Sequence, residues 1–172
     1  TGDAASSAGS PVTTYQWSYS TNGTNWTNHG GNSQNLPPGL TLTNTGSTNL
    51  TYQIRRTATI NSCSIISNVI SVIVQPQIVN AITAGQTVCS GATIAALTGT
   101  PTGGAGAGTY TYAWLESIDG GAFSAAPGTN NAMSYTPPVT TNTTAANIVK
   151  KYKRTVTSGT CATLESNEVS IT

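Results

Sequence analysis

Charge is what this chain has least of. Only 6% of its 172 residues are Asp, Glu, Lys or Arg, against a usual share of about 25%. The net charge is +1 and the largest basic cluster is Lys150-Lys151-Tyr152-Lys153-Arg154. Neither supplies the field that a phosphate backbone or an anionic headgroup layer requires. No apolar run approaches the ~18 residues of a membrane span, so the expectation is no nucleic-acid partner and no membrane insertion. Histidine is nearly absent: His29 stands alone in a polar Asn-His-Gly-Gly stretch, read as a solvated loop, and no Cys/His cluster has zinc spacing. The carboxylates are Asp3, Glu116, Asp119, Glu165 and Glu168. They offer no pair for acid–base work on a glycosidic bond and no run dense enough for calcium. No Gly-x-Ser-x-Gly elbow occurs. The expectation is no catalytic residue, no metal and no cofactor. A leader-like segment is missing too, which reads as a mature or excised piece.

What is present is said twice. Thr14-Tyr15-Gln16-Trp17 returns 97 positions later as Thr111-Tyr112-Ala113-Trp114. Arg56-Thr57 and Cys63 return as Arg154-Thr155 and Cys161, each 98 positions on. Ser67-Asn68 returns as Ser166-Asn167, and Pro37-Pro38 as Pro137-Pro138. A repeat at this period signals tandem modules, here residues 1–74 and 75–172, with Gln75-Pro76 as the joint. Thr1–Pro11 aligns without a gap on Thr98–Gly108. It therefore reads as an internal loop of a first module lacking its initial strands.

Helical periodicity is absent over any useful length. Tyr15, Trp17 and Tyr19 alternate with Thr14, Gln16 and Ser18, the period of a half-buried strand. Asn22-Gly23 and Asp119-Gly120 follow the two aromatic strands as hairpin signals. Strands are expected at 13–20, 50–59 and 67–72. In the second module they are expected near 78–83, 92–98, 109–117, 122–126, 132–136, 147–157 and 166–172. Short strands with Thr/Asn/Gly gaps are the pattern of an all-β fold, two tandem antiparallel β-sandwiches.

Three cysteines leave one over. Cys89 and Cys161 bracket the second module and are expected to pair, closing a loop worth about 4 kcal/mol in the chain-entropy account. Cys63, the counterpart of Cys161, is then unpaired because the counterpart of Cys89 falls ahead of Thr1. The alternative is three buried free thiols in a reducing compartment; a charge-poor, Thr/Asn-rich repeat fits secretion better.

Trp17 and Trp114, in mid-strand on the aromatic face, are read as core rather than as sugar-stacking platforms. Trp26, near a hairpin tip, is the candidate for ligand stacking. Arg56 and Arg154 are read as cations stacked on aromatics rather than ligand-recognising groups.

The second module carries Thr87-Val88-Cys89-Ser90-Gly91, then Tyr112-Ala113-Trp114 with Asp119-Gly120-Gly121, then Tyr135-Thr136-Pro137-Pro138. Tyr152-Lys153-Arg154-Thr155-Val156-Thr157-Ser158-Gly159-Thr160-Cys161 and Ser166-Asn167 complete the string. This resembles the immunoglobulin-like repeats of very large secreted surface proteins of Bacteroidota, including the gliding-motility adhesins. The resemblance covers residues 80–172 and, less cleanly, 1–74, where the Cys-Ser-Gly start is missing and the loop after Trp26 is longer. It implies an immunoglobulin-like fold, export by the type IX system, an extracellular position on the cell surface and many tandem copies. It brings no catalytic residue. The expected function is a non-enzymatic structural or adhesive segment of a long bacterial surface adhesin or stalk. Its partners would be neighbouring repeats of the same polypeptide. Two further readings stand beside it: a filament protomer assembled with identical protomers by strand complementation, or a carbohydrate-binding module of a secreted enzyme, with surface glycans as partners and Trp26 at the contact.

Overall fold

The structure is a computed structural model and describes residues 12–172; the loop expected at Thr1–Pro11 lies outside the described residues. Every regular element among them is a strand. Two compact units emerge. The first takes the chain up to Asn44 and Asn49–Val74; the second takes Gln75–Thr172 together with Thr45–Thr48. Each is built on one five-stranded antiparallel sheet, and the fold class is all-β of the sandwich type.

In the first unit β1 (Thr13–Ser20) and β2 (Thr27–His29) form a hairpin. The turn is longer than an Asn-Gly pair alone would make it. Ser20 Oγ accepts from the backbone N–H of Asn22 and Gly23. Asn22 Oδ1 accepts from those of Thr24 and Asn25. These two side chains replace the turn's missing backbone partners. His29 closes β2, with Nε2 3.3 Å from the Pro37 carbonyl, so it is a sheet residue and not a solvated loop. β3 (Leu50–Ile60) lies beside β1, with Trp17 opposite Arg56 and Tyr15 opposite Ala58. The other side of β3 is shared by β4 (Cys63–Ile66) and β5 (Ile70–Val74).

The second unit repeats this plan. β6 (Tyr110–Ile118) pairs with β7 (Ser124–Ala125) on one side and β8 (Lys150–Ser158) on the other. β9 (Leu164–Glu165) and β10 (Val169–Ile171) share the far side of β8. Asp119 and Gly120 both have positive φ, 48° and 79°, as an Asp-Gly hairpin turn requires. The strands expected near 78–83, 92–98 and 132–136 appear only as isolated bridges: Val79 to Thr102, Thr83 to Thr98, and Leu97 to Tyr135. These stretches nevertheless cover the sheet. Ile82, Ile94 and Leu97 bury with Trp114, Tyr135, Tyr152, Val169 and Ile171 in one cluster. A further close approach is at Gly99, where a Cβ would sit 2.0 Å from the Ala81 carbonyl oxygen.

The disulfide is not there. Cys63, Cys89 and Cys161 are all free thiols, and the expected Cys89–Cys161 bond is corrected. Val88 N–H bonds the Thr172 carbonyl, one residue past Ile171, which faces Lys150 at the start of β8. Cys161 instead bonds the carbonyl of Ser158, the last residue of β8. The two cysteines thus lie at opposite ends of a nine-residue strand, roughly 26 Å long at 3.3 Å per step. A disulfide needs Cα atoms within about 7 Å. Cys161 Sγ donates to Gln75 Oε1 at 3.1 Å. The buried-thiol alternative fails as well, since Cys63 and Cys89 are exposed.

Candidate functional site

The centre of the second unit is a buried cation without a carboxylate. Period-two alternation puts Tyr152, Arg154 and Val156 of β8 on the same face as Tyr112, Trp114 and Glu116 of β6. Arg154 is fully buried. Its Nε and Nη2 donate to Asn80 Oδ1 at 3.1 and 2.8 Å, and Nη1 donates to the carbonyls of Gly99 and Met133. The guanidinium lies 5.5 Å from the ring centroids of both Tyr112 and Trp114. Burial pulls the guanidinium below its ordinary pKa, while carbonyl dipoles and ring faces offset its lost hydration. Asn80 returns two bonds from Nδ2, to the carbonyls of Arg154 and Leu164.

A second clasp sits on the same strand. Ser166 bonds Arg154 through both backbone N–H and side-chain oxygen. Asn167, next in sequence, uses its carboxamide as a peptide group would be used in a ladder. Oδ1 accepts from Ile82 N–H and Nδ2 donates to the Ile82 carbonyl, both at 2.9 Å. Asn80 and Asn167 therefore pin residues 78–82 across the sheet from two sides.

Beside Arg154 stands an aromatic group closed by Glu116. Tyr152 hydroxyl donates to Glu116 Oε1 at 2.5 Å, and Lys150 Nζ lies 3.1 Å from the same oxygen. Trp114 stacks on Tyr135 at 5.6 Å, and Tyr135 tilts against Tyr152 at 5.7 Å. Burial, then the Glu116 charge, pushes the Tyr135 hydroxyl up to about 12. Tyr152 is raised further, first by burial and then by its bond to Glu116. These hydroxyls stay protonated as donors and are held away from nucleophilic use.

The first unit repeats part of this. Arg56 bonds Ser67 as Arg154 bonds Ser166. Trp17 Nε1 donates to the Ser33 carbonyl as Trp114 Nε1 donates to that of Ala132. Arg56 Nη1 donates to the Gln34 carbonyl, and its guanidinium lies 5.0 Å from Tyr15 and 5.7 Å from Trp17. Trp114 is thus a core residue, whereas Trp17 faces the same way but stays half-exposed. Trp26 is not an open platform: the Arg55 guanidinium sits 3.7 Å over its ring and Nε1 donates to the Gly23 carbonyl.

A cleft of about 320 Å³ opens between Val88–Ser90, Ile94, Thr140, Asn142, Thr144 and Ile171. Its one cation, Lys150, is committed to Glu116. Among the described residues no three of His, Cys, Asp and Glu gather to hold a metal. Asn80 and Asn167 are what the sequence reading missed. The doubled Ser-Asn at 67–68 and 166–167 marked Asn167 as part of the repeat without giving it a task, and nothing in an Asn-rich chain marked Asn80.

Sheet plan and clasp together define a sandwich-type repeat module centred on a buried arginine. Residues 78–172 match a family described as "Domain of unknown function (DUF8696)", and the chain belongs to that family. No curated protein and no solved structure matches it.

Proposed function

We propose that this chain is a non-enzymatic repeat segment of a long bacterial cell-surface adhesin or stalk, working outside the cell with neighbouring repeats as its immediate partners. The observation that carries the reading is the duplicated arginine clasp: Arg56–Ser67 and Arg154–Ser166, each beneath a tryptophan bonded to a loop carbonyl. What the chain reproduces is a packing solution, and repetition of packing serves length and spacing. The charge-poor Thr/Ser/Asn surface and the commitment of Glu116 and Lys150 to one another support the same reading. With Arg55 over Trp26, glycan stacking has little to recommend it.

The test is antibody labelling of intact source cells with serum raised against the 172-residue chain. Labelling before permeabilisation, removed by brief external protease treatment, is expected. Signal that appears only after permeabilisation would overturn the proposal.

A further inference from the structure

A cation over an aromatic ring occurs in each unit, on the sheet face turned away from Trp17 and Trp114. The Arg55 guanidinium lies 3.7 Å over the Trp26 ring, and Lys153 Nζ lies 4.4 Å over that of Phe123. The cations are 98 positions apart (153 − 55) and the rings 97 (123 − 26). Each ring stands just ahead of the returning strand of its hairpin, β2 or β7. In the second unit the pair has a third member: Lys153 Nζ bonds Glu165 Oε2 at 2.9 Å. Glu165 reaches it from β9, opposite Thr155, which is two residues along β8 from Lys153 and on the same face.

The first unit has the cation and the ring without the acid. Ile66 opposes Thr57 as Glu165 opposes Thr155. An isoleucine that is 52% exposed therefore stands where the second unit has its carboxylate. Residues 12–74 contain no Asp or Glu. Among the described residues no hydrogen bond or ion pair reaches the Arg55 guanidinium, and its Nε is buried without a partner. The vacancy is independent of what lies over the Trp17 face. In the second unit the covering residues Ile82, Ile94 and Leu97 pack with Trp114 on one face, while Thr111, Ala113 and Glu165 on the other face are exposed. Arg55 belongs to the latter face.

We propose that Arg55, held over Trp26, is a binding site for a glutamate side chain of another polypeptide. The incoming carboxylate takes the place that Glu165 holds beside Lys153, and the terminal guanidinium nitrogens donate to its two oxygens. Fork-to-fork pairing of this kind uses arginine's plane, and stacking on the indole leaves less freedom to lose on binding. Ile66 decides between acidic ligands. Two methylenes of a glutamate lie well on an exposed isoleucine, whereas the hydroxyl-covered ring of a uronic acid would set polar groups against it. Charge agrees, since residues 12–74 carry Arg55 and Arg56 against no acid, a balance that draws an acidic segment. A second copy of this chain is the poorer donor. Its Glu165 and Glu168 are bonded to Lys153 and Lys151, and its Glu116 to Lys150. The proposal does not rest on the adhesive reading above.

The probe is a short poly-L-glutamate, titrated at low salt into the full 172-residue chain and read by the NMR signals of Arg55 Nε–H and Trp26 Nε1–H. Both should shift saturably, and poly-L-glutamine should move neither. The decisive variant is Ile66→Glu. It restores the second unit's carboxylate beside Arg55 and leaves the arginine in place, at an exposed position where a substitution disturbs folding little. It should weaken binding about tenfold or more, the scale of hydrogen bonds to a charged group, and so should Arg55→Gln. Lys153→Gln and Asp3→Asn should leave the affinity unchanged. Absence of a saturable shift, affinity indifferent to Ile66→Glu or to Arg55→Gln, or shifts confined to residues 150–154 would each overturn the proposal. Binding of polygalacturonate without binding of poly-L-glutamate would overturn it in favour of an acidic sugar. Tighter binding by Asp3→Asn would mean that the chain's own acid fills the place, and self-association of the chain alone with the same shifts would make the occupant a second copy; either overturns it.

Discussion

Arg154 and Arg56 hold the same place in their sheets and make different demands on them. Replacing Arg154 by Leu strips the Asn80 carboxamide and the Gly99 and Met133 carbonyls of their donor. Leaving such groups buried and unpaired should cost about 3 kcal/mol or more. Arg56→Leu, at a half-exposed site, should cost under about 1 kcal/mol; paired urea unfolding curves check both. Tyr135 carries a second prediction at this scale. Its folded pKa is raised to about 12, above the ~10 of an unfolded tyrosine. Its contribution is therefore full below pH 10 and is lost as pH climbs through 12. Stability measured from pH 8 to 12 should fall over that window, and Tyr135→Phe should flatten the fall.

Between residue and sheet, the stretch 78–82 is held mostly by side chains: Asn80 and Asn167 clasp it, and its backbone makes one isolated bridge, Val79 to Thr102. Asn167→Ala should therefore release it selectively. Hydrogen exchange at Ile82 is expected to quicken by an order of magnitude or more, while the β6–β8 pair keeps its protection; uniform quickening would contradict this. Much at this scale was legible beforehand. The repeat period aligned β1 with β6 and β3 with β8, and alternation put Trp114 on the aromatic face of its strand and Arg154 beside Tyr152 on its own; the register that brings the two onto one face came from the structure. The failures were physical and specific. Cys89 and Cys161 bracket a module in sequence, but sequence bracketing says nothing about which end of β8 each one meets. The stretches at 78–83 and 92–98 have β-branched residues yet make almost no ladder, since Asn80 and Asn167 do the pairing instead. Strand propensity registers burial as much as backbone pairing, and the two came apart here. A mid-strand place on an aromatic face reads as core for Trp17 as for Trp114, yet nothing among the described residues closes over Trp17 as Leu97 and its neighbours close over the face around Trp114.

Across the whole chain, the two units should not melt as equals. Among the described residues the first unit buries the apolar side chains of Tyr52 and Ile54, while the second buries an aromatic cluster with its covering segment. Denaturant unfolding followed by amide signals should lose the first unit at lower concentration. With three free thiols, adding dithiothreitol should leave both transitions unmoved. Cys89→Ser and Cys161→Ser should each change stability by less than about 0.5–1 kcal/mol. A reductant-sensitive second transition would mean that a disulfide forms in solution after all.

The carboxylate-free setting of Arg154 also bears on the kind of water this protein tolerates. An arginine held by an amide and two carbonyls has no acidic partner to be protonated as a medium sours. Enclosed as it is, it offers dissolved ions little to screen. The second unit's central clasp should therefore hold in brine, and in acid through the range where a paired arginine would lose its carboxylate. A chain exposed to changing waters would keep this part of its shape through tide, drought and ferment alike.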